Sequence, residues 1–176
     1  MDSSFPIVYL SLLLALLAGA GWFLFRQIIK TRKLESTFSR LQNKLNKEKG
    51  TAQEYYELGS IYLDKKLFAQ AVGQFQKALK AKDLEGEENT ALIYNALGFA
   101  YAAQEQYDLA IRHYKEALRL QPQYVTALNN LGFVYERKNL TSQALEVYEE
   151  ALQYEPDNQT AKKRAESLRK RIETPA

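Results

Sequence analysis

The stretch ALNNLGFVYE, residues 127–136, repeats with few changes the earlier stretch IYNALGFAYA, residues 93–102. The Leu-Gly pair at 131–132 follows the pair at 97–98 by 34 residues. The same spacing joins five further pairs: Tyr101 and Tyr135, Ala110 and Ala144, Tyr114 and Tyr148, Ala117 and Ala151, Pro122 and Pro156. A third copy fits the frame upstream at Leu58, Gly59, Tyr62, Ala71, Phe75 and Ala78. A fixed period of this length is typical of stacked structural repeats.

Each copy predicts a pair of helices. Apolar residues recur at steps of three and four, which indicates amphipathic α-helices, and the fixed Gly and Ala positions allow two helices to approach closely. We expect Tyr62, Tyr101 and Tyr135 to bury a ring against the neighbouring helix. Pro122 and Pro156 end their units because proline cannot continue a helix. One helix pair cannot cover its own apolar face, so about three units must stack to form a core.

The pattern L-G-x-x-Y, A-x-x-x-[FY]-x-x-A and a closing Pro resembles the tetratricopeptide repeat over residues 52–158. The resemblance implies an all-α fold, a solenoid of helix-turn-helix units. The first copy departs from the pattern, because Asp83 stands where Pro is expected and five extra residues lie in the connector 82–90. We therefore expect a loose exit turn there. A last apolar face with a basic opposite side, within residues 159–172, predicts the capping helix that solenoids require.

An uncharged apolar block, FPIVYLSLLLALLAGAGWFLF, occupies residues 5–25. As a helix it would span about 31 Å, close to the ~30 Å hydrocarbon core of a bilayer. Tyr9 and Trp22 suit the two membrane interfaces. A cleaved signal peptide is the alternative, since residues 18–20 resemble a cleavage site. The leader carries only Asp2 and the apolar run continues past that site, which favours a retained transmembrane anchor.

Residues 26–50 carry eight Lys/Arg and two Glu. Basic flanks remain on the cytoplasmic side of a membrane, so we expect a single-pass topology with the repeats in the cytoplasm or plastid stroma. Leu34, Phe38, Leu41 and Leu45 fall at helical steps and predict a basic amphipathic stalk helix.

Composition argues against several classes of function. Residues 50–161 carry sixteen acidic and ten basic residues, which argues against nucleic-acid binding. Without Cys, and with His113 as the single histidine, the chain offers no thiolate or His-pair metal site and no Ser-His-Asp triad. No Gly-rich phosphate loop or apolar carboxylate pair is present. We therefore predict no enzyme, no cofactor, no metal and no small-molecule substrate, and we interpret His113 as a bystander.

The tetratricopeptide resemblance also implies a partner-binding groove, because the first helices of the repeats line the concave face in that family. The predicted groove consists of Tyr56, Ser60, Asn95, Phe99, Asn129 and Phe133. Two Phe one repeat apart would offer an apolar strip, and two Asn could hold a peptide backbone. The alternative is that both Phe belong to the core.

Members of the family that bind chaperone tails use a clamp of Lys, Arg and Asn for a terminal carboxylate. The corresponding positions here are Tyr56, Ser60, Ala96, Thr126 and Asn130. They provide no cation, which argues against a co-chaperone role.

The whole layout, with LQPQYVTALNNLG at residues 120–132 as its most telling run, resembles the small membrane-anchored tetratricopeptide proteins of cyanobacteria and algal plastids that assist photosystem I assembly. The resemblance implies a thylakoid anchor and binding to photosystem I subunits or assembly intermediates. No Ser/Arg-rich leader precedes the anchor, which disfavours an imported form. The alternative is a general bacterial membrane-anchored scaffold for secretion, envelope or division complexes.

The resulting domain prediction has seven parts: a short N-terminus at 1–4, a transmembrane anchor at 5–25, the stalk helix at 26–50, repeat 1 at 52–85, repeat 2 at 91–124, repeat 3 at 125–158, and a capping helix at 159–172.

Overall fold

The computed structural model of the protein describes residues 4–173, which form eight α-helices and no strand. The helices are α1 (Ser4–Leu45), α2 (Ala52–Asp64), α3 (Phe68–Leu79), α4 (Glu87–Ala103), α5 (Tyr107–Leu120), α6 (Val125–Arg137), α7 (Thr141–Tyr154) and α8 (Gln159–Glu173). The predicted all-α solenoid is confirmed. Of the predicted N-terminal segment 1–4, residues 1–3 lie outside the described residues.

The chain divides into two compact units, residues 1–44 and 45–176. The first unit is formed by α1, in which the predicted anchor and stalk make one uninterrupted helix. Over Val8–Leu45 this helix is long and apolar enough to cross a bilayer. Its side chains at residues 8–33 are exposed within the protein, unlike those of a buried core helix. The helix ends at Leu45, five residues before the predicted end of the stalk at Gly50.

In the second unit the helices pack consecutively as three hairpins, α2 with α3, α4 with α5 and α6 with α7, and α8 packs on α7. Within each hairpin a glycine of the first helix faces an aromatic ring of the second. A Cβ atom added at Gly98 would lie 2.6 Å from Cδ1 of Tyr114, closer than real Cβ contacts come. Gly59 faces Phe75 and Gly132 faces Tyr148 in the same way. These contacts set the closest approach of the two helices in every repeat.

The three turns within the repeats also share a backbone conformation, a residue with positive φ. Lys66, Glu105 and Asn139 occupy equivalent positions and have φ values of 58°, 59° and 58°. This left-handed conformation costs free energy for residues other than glycine. Each turn thus ends its first helix abruptly and starts the second helix after about two more residues.

The exit from the first repeat is not the loose turn that the missing proline suggested. Both carboxylate oxygens of Asp83 accept the backbone N–H of Ala52, at 3.1 and 3.2 Å. This N–H lies at the start of α2, where no partner within the helix is available. Thr51 and Glu54 complete the same helix end as a reciprocal capping box. Asp83 therefore ties the exit of the first repeat back to its entrance.

The five extra residues of the connector change the second repeat. Helix α4 begins at Glu87 and has 17 residues, against 13 in α2 and α6. The insertion therefore adds about one helical turn before the predicted start of repeat 2 at residue 91. Glu87 and Glu88 lie in that first turn, where negative charge is favourable.

The glycine contacts predict opposite effects of the same substitution at two helical sites. Gly98→Ala should destabilise the repeats by about 1–3 kcal/mol, because Tyr114 is fully buried and cannot move aside freely. Gly73→Ala, with no atom within 4 Å of its added Cβ, should stabilise α3 by roughly 0.5–1 kcal/mol. Denaturation of the full chain in detergent, followed by circular dichroism, measures both. Shifts of the same sign would contradict the packing argument.

Candidate protein-interaction surface

Phe99 of α4 and Phe133 of α6 occupy equivalent positions and are surface residues. Their side chains are 48% and 45% exposed, so the alternative that they belong to the core is wrong. Both line one cavity of about 300 Å³, which we call the phenylalanine cleft. The cleft is also lined by Ala102, Ala103, Glu105, Tyr107, Tyr114, Asn130 and Arg137. Two neighbouring repeats thus supply one shared apolar surface.

The rim of the cleft is polar. The Arg137 guanidinium donates from Nε to the Tyr107 hydroxyl at 3.1 Å and lies 5.9 Å from the centre of that ring. It also lies 3.7 Å from the Glu105 carboxylate. The hydrogen bond to Tyr107 raises the pKa of Arg137, a side chain that is already charged at its ordinary value. These contacts fix a cation at one edge of the two exposed rings.

The lining residue Tyr114 is almost fully buried, with 1% exposure. Burial raises the pKa of its hydroxyl far above the usual value, so Tyr114 stays neutral at any physiological pH. Since Tyr114 is also the ring against Gly98, the residue that sets the spacing of α4 and α5 also borders the cleft.

Both residues of the predicted asparagine pair make hydrogen bonds within the protein. The side-chain carbonyl of Asn95 accepts from Asn130 at 3.0 Å, and its amide donates to the Tyr124 hydroxyl at 3.3 Å. Asn95 therefore ties α4 to α6 through Asn130 and to Tyr124, the residue directly before α6. Asn129 donates to the Oδ1 atom of Asn158 at 3.2 Å, and that oxygen also caps the start of α8. Asn95 thus uses one donor and one acceptor within the protein, and the role of the two amides in holding a peptide stays a prediction.

Among residues 4–173, Oδ1 of Asn129 is buried without a hydrogen-bond partner. This side-chain oxygen could accept a further hydrogen bond, but it is buried and does not reach the surface.

Tyr56 and Ser60 lie apart from the phenylalanine cleft. The Ser60 hydroxyl donates to the backbone carbonyl of Tyr56 at 2.9 Å, within α2. The Tyr56 ring packs against Phe75, with ring centres 5.7 Å apart, and borders a smaller cavity of about 130 Å³ with Asp83 and Leu92. Of the six predicted groove residues, Phe99 and Phe133 line the phenylalanine cleft and Tyr56 borders the smaller cavity. A single groove formed by all six stays a prediction.

His113 lies half-buried between two tyrosine rings. The imidazole stacks on Tyr101 at 5.2 Å and on Tyr94 at 5.9 Å between ring centres. Desolvation, aided by Arg112, lowers the pKa of His113, which favours the neutral ring. In this arrangement His113 is a packing residue. Within residues 4–173, no group of three or more His, Asp or Glu side chains is placed to hold a metal ion.

Sequence reasoning missed the polar rim of the cleft. Glu105 lies in an intra-repeat turn and Tyr107 is the first residue of α5, in a segment where composition indicates only a loop. Arg137 lies four residues after Phe133 and so falls on the same helical face, a signal that could have identified it.

Comparison with known proteins agrees with this geometry. Tetratricopeptide-repeat profiles match residues 52–83, 100–139 and 125–158. The protein ycf37 of Cyanophora paradoxa is 43% identical over 127 residues, 72% of this chain and 72% of its own length. The tetratricopeptide repeat domain-containing protein PYG7, chloroplastic, of Arabidopsis thaliana is 35% identical over 97% of this chain, which spans 56% of PYG7.

Among solved structures, that of YrrB, described as a tetratricopeptide-repeat protein with an unusual peptide-binding site, matches with a TM-score of 0.67. The match covers 83% of this chain and 73% of YrrB at 22% identity. At that identity the likeness shows the fold alone.

The different exposure of the phenylalanine rings predicts that truncating a cleft residue lowers the free energy of unfolding less than truncating a buried ring. Phe99→Ala and Phe133→Ala should each cost about 1 kcal/mol or less, because half of each ring already contacts solvent. Phe75→Ala, at a ring with 0% exposure, should cost about 3–5 kcal/mol and serves as the matched control. Urea denaturation of the full chain in detergent compares the three. Equal losses would place the two Phe in the core after all.

Proposed function

The chain belongs to the ycf37 family of tetratricopeptide-repeat proteins, and from this premise we propose that it is a membrane-anchored scaffold that assists the assembly or stability of photosystem I. It does so by binding photosystem I subunits or assembly intermediates, and it catalyses no reaction. Tetratricopeptide-repeat domains are protein-interaction scaffolds, generally without catalysis, so the proposal adds the identity of the partner.

The observation that carries the scaffold role is the exposed pair Phe99 and Phe133. The second helix of each repeat buries one aromatic ring against a glycine, namely Phe75, Tyr114 or Tyr148. Phe99 and Phe133, on the first helices of neighbouring repeats, are instead left about half exposed at equivalent positions. Exposed apolar patches with a polar rim mark protein-interaction sites. Aromatic residues and Arg are also the side chains that most often dominate binding energy. We assign the main partner contact to these rings and Arg137, with Tyr56 beside a second, smaller cavity.

Two observations support photosystem I as the partner. The match to the chloroplastic PYG7 covers 97% of the chain, so it extends over the repeats and most of the apolar helix α1. The order of anchor, basic stalk, widened first connector and basic cap resembles the family that assists assembly of this complex. Photosystem I is a membrane complex, and a tether in the same bilayer would bring the repeats to its subunits.

We assign the anchor to the thylakoid membrane, with the repeats on the cytoplasmic or stromal side. The side chains at residues 8–33 are exposed, so a bilayer can surround the apolar part of α1. Four basic residues directly follow that apolar part: Arg26, Lys30, Arg32 and Lys33. Basic flanks stay on the cytoplasmic side of a membrane, so the repeats that follow them stay on that side too.

This orientation predicts the outcome of protease protection on sealed thylakoid vesicles. Protease added from the cytoplasmic or stromal side should digest the repeats, while a lumenal marker protein stays intact. Changing the four basic residues at 26, 30, 32 and 33 to Glu should increase the protected fraction, because the positive flank sets the orientation. Full protection of the native chain would overturn the assigned topology.

The proposed function predicts a selective loss of one photosystem. Deletion of the gene should lower photosystem I while photosystem II accumulates normally, measured by low-temperature fluorescence and immunoblotting. The Phe99→Ala/Phe133→Ala variant should fail to restore photosystem I and should capture its subunits at least about tenfold less well, since loss of central aromatic anchors weakens binding to that degree.

The matched control is Leu67→Ala, which removes an exposed apolar side chain from another part of the surface. This variant should restore photosystem I fully. Equal loss of both photosystems on deletion would remove the reason to assign this partner. Capture of secretion, envelope or division proteins instead would favour a general membrane scaffold.

A further inference from the structure

Four lysines gather around one cavity in the first repeat. Lys77 and Lys80 lie at the end of α3 and Lys82 lies in the connector, while Lys49 precedes α2. The cavity, of about 550 Å³, is also lined by Gly50, Tyr55, Ala81 and Asp83. We call it the lysine pocket. It concentrates positive charge in a repeat domain that is otherwise acidic, since residues 50–161 carry sixteen acidic and ten basic residues.

The positive charge of the pocket is largely uncompensated. Among the described residues that line it, Asp83 is the one acid, and both of its oxygens already accept the Ala52 N–H. Within residues 4–173 none of the four lysines forms an ion pair with an acidic side chain. Lys77 lies over the Tyr55 ring, with Nζ 5.8 Å from its centre. All four lysines are exposed and can reach an anion.

A purely structural role explains part of this cluster. Cations in the last turn of a helix favour its negative end, which accounts for Lys77 and Lys80 at the end of α3. That role does not explain Lys49, which follows α1, or Lys82, which lies beyond the last turn. It also does not explain why four cations from two separate segments surround a cavity of this volume.

We propose that the lysine pocket binds an acidic peptide segment of a partner protein, through successive Asp or Glu carboxylates. The proposal rests on the scaffold function given above and adds the chemistry of the partner. Four ammonium groups spread around 550 Å³ match several carboxylates along a chain better than one compact anion. Lys acts as a point charge and does not require the bidentate geometry of an Arg site.

The backbone around the pocket supports this choice over a phosphate site. Phosphate sites are commonly built from free backbone N–H groups at a helix N-terminus or in a nest. Here the N–H of Gly50 donates to the Tyr55 hydroxyl at 3.1 Å, and that of Ala52 donates to Asp83. Because the Tyr55 hydroxyl accepts from Gly50, its own proton remains available for a carboxylate.

The pocket is separate from the phenylalanine cleft, which belongs to the second and third repeats. A partner would therefore meet an apolar contact at one place and an ionic contact at another. The ionic contact would mainly accelerate association and select the partner by charge, while the rings would slow dissociation.

Binding of a labelled hexaglutamate peptide to the full chain in detergent, measured by fluorescence anisotropy at low salt, tests the proposal. We expect saturable binding that Lys77→Gln/Lys80→Gln weakens about fivefold or more, and that additional Lys49→Gln and Lys82→Gln abolish. The matched control, Lys162→Gln/Lys163→Gln on α8, removes the same charge from another exposed surface and should weaken binding less than about twofold. Melting curves verify that the variants fold.

Other outcomes would overturn the proposal. Equal weakening by both double variants would indicate attraction to net charge alone, and no binding would exclude an acidic-peptide site. Inorganic phosphate that displaces the peptide at equal or lower concentration would indicate a compact oxyanion site. Vesicles with phosphatidylglycerol that bind through these lysines, without peptide binding, would indicate a lipid site. None of these results affects the selective photosystem I phenotype, which tests the scaffold function independently.

Discussion

The fold depends on three glycines that each accept an aromatic ring at a distance no side chain would allow. Gly59, Gly98 and Gly132 face rings that are at most 1% exposed, and an added Cβ would lie 2.6–2.7 Å from each. Each contact holds the two helices of one repeat together and fixes their separation. Because the contact recurs at the repeat spacing, the hairpins have nearly the same geometry and can stack. The rest of the solenoid follows from this one packing rule.

The same rule directs the phenylalanines outward. Phe99 directly follows Gly98, and Phe133 directly follows Gly132. Successive residues of an α-helix are rotated by about 100°, so a glycine that faces the second helix turns the next side chain away from it. The orientation of α4 and α6 that buries a ring against their glycines therefore also exposes Phe99 and Phe133 in the cleft. Repetition of the packing rule places two exposed rings side by side.

Sequence periodicity predicted the features that recur and missed those that occur once. The hairpins, the short turns and the positions of Phe99 and Phe133 follow from residues that repeat at 34. The hydrogen bond that the Ala52 N–H donates to Asp83 joins positions 31 residues apart in the first repeat alone. Since it does not recur, the repeat pattern could not predict it. Periodicity also did not predict the hydrogen bonds of Asn95, which join α4 to Asn130 of α6 and to Tyr124 directly before α6.

The modest size of both candidate surfaces is consistent with a tethered protein. A cleft of about 300 Å³ and four solvated lysines would give a freely diffusing protein only weak affinity. An anchor in the membrane that holds the partner changes this requirement, since tethering makes the second contact intramolecular and raises the effective concentration. Weak contacts then suffice for capture and still permit release. For the proposed role in assembly such release would matter, because a scaffold that bound its partner too tightly would remain in the finished complex.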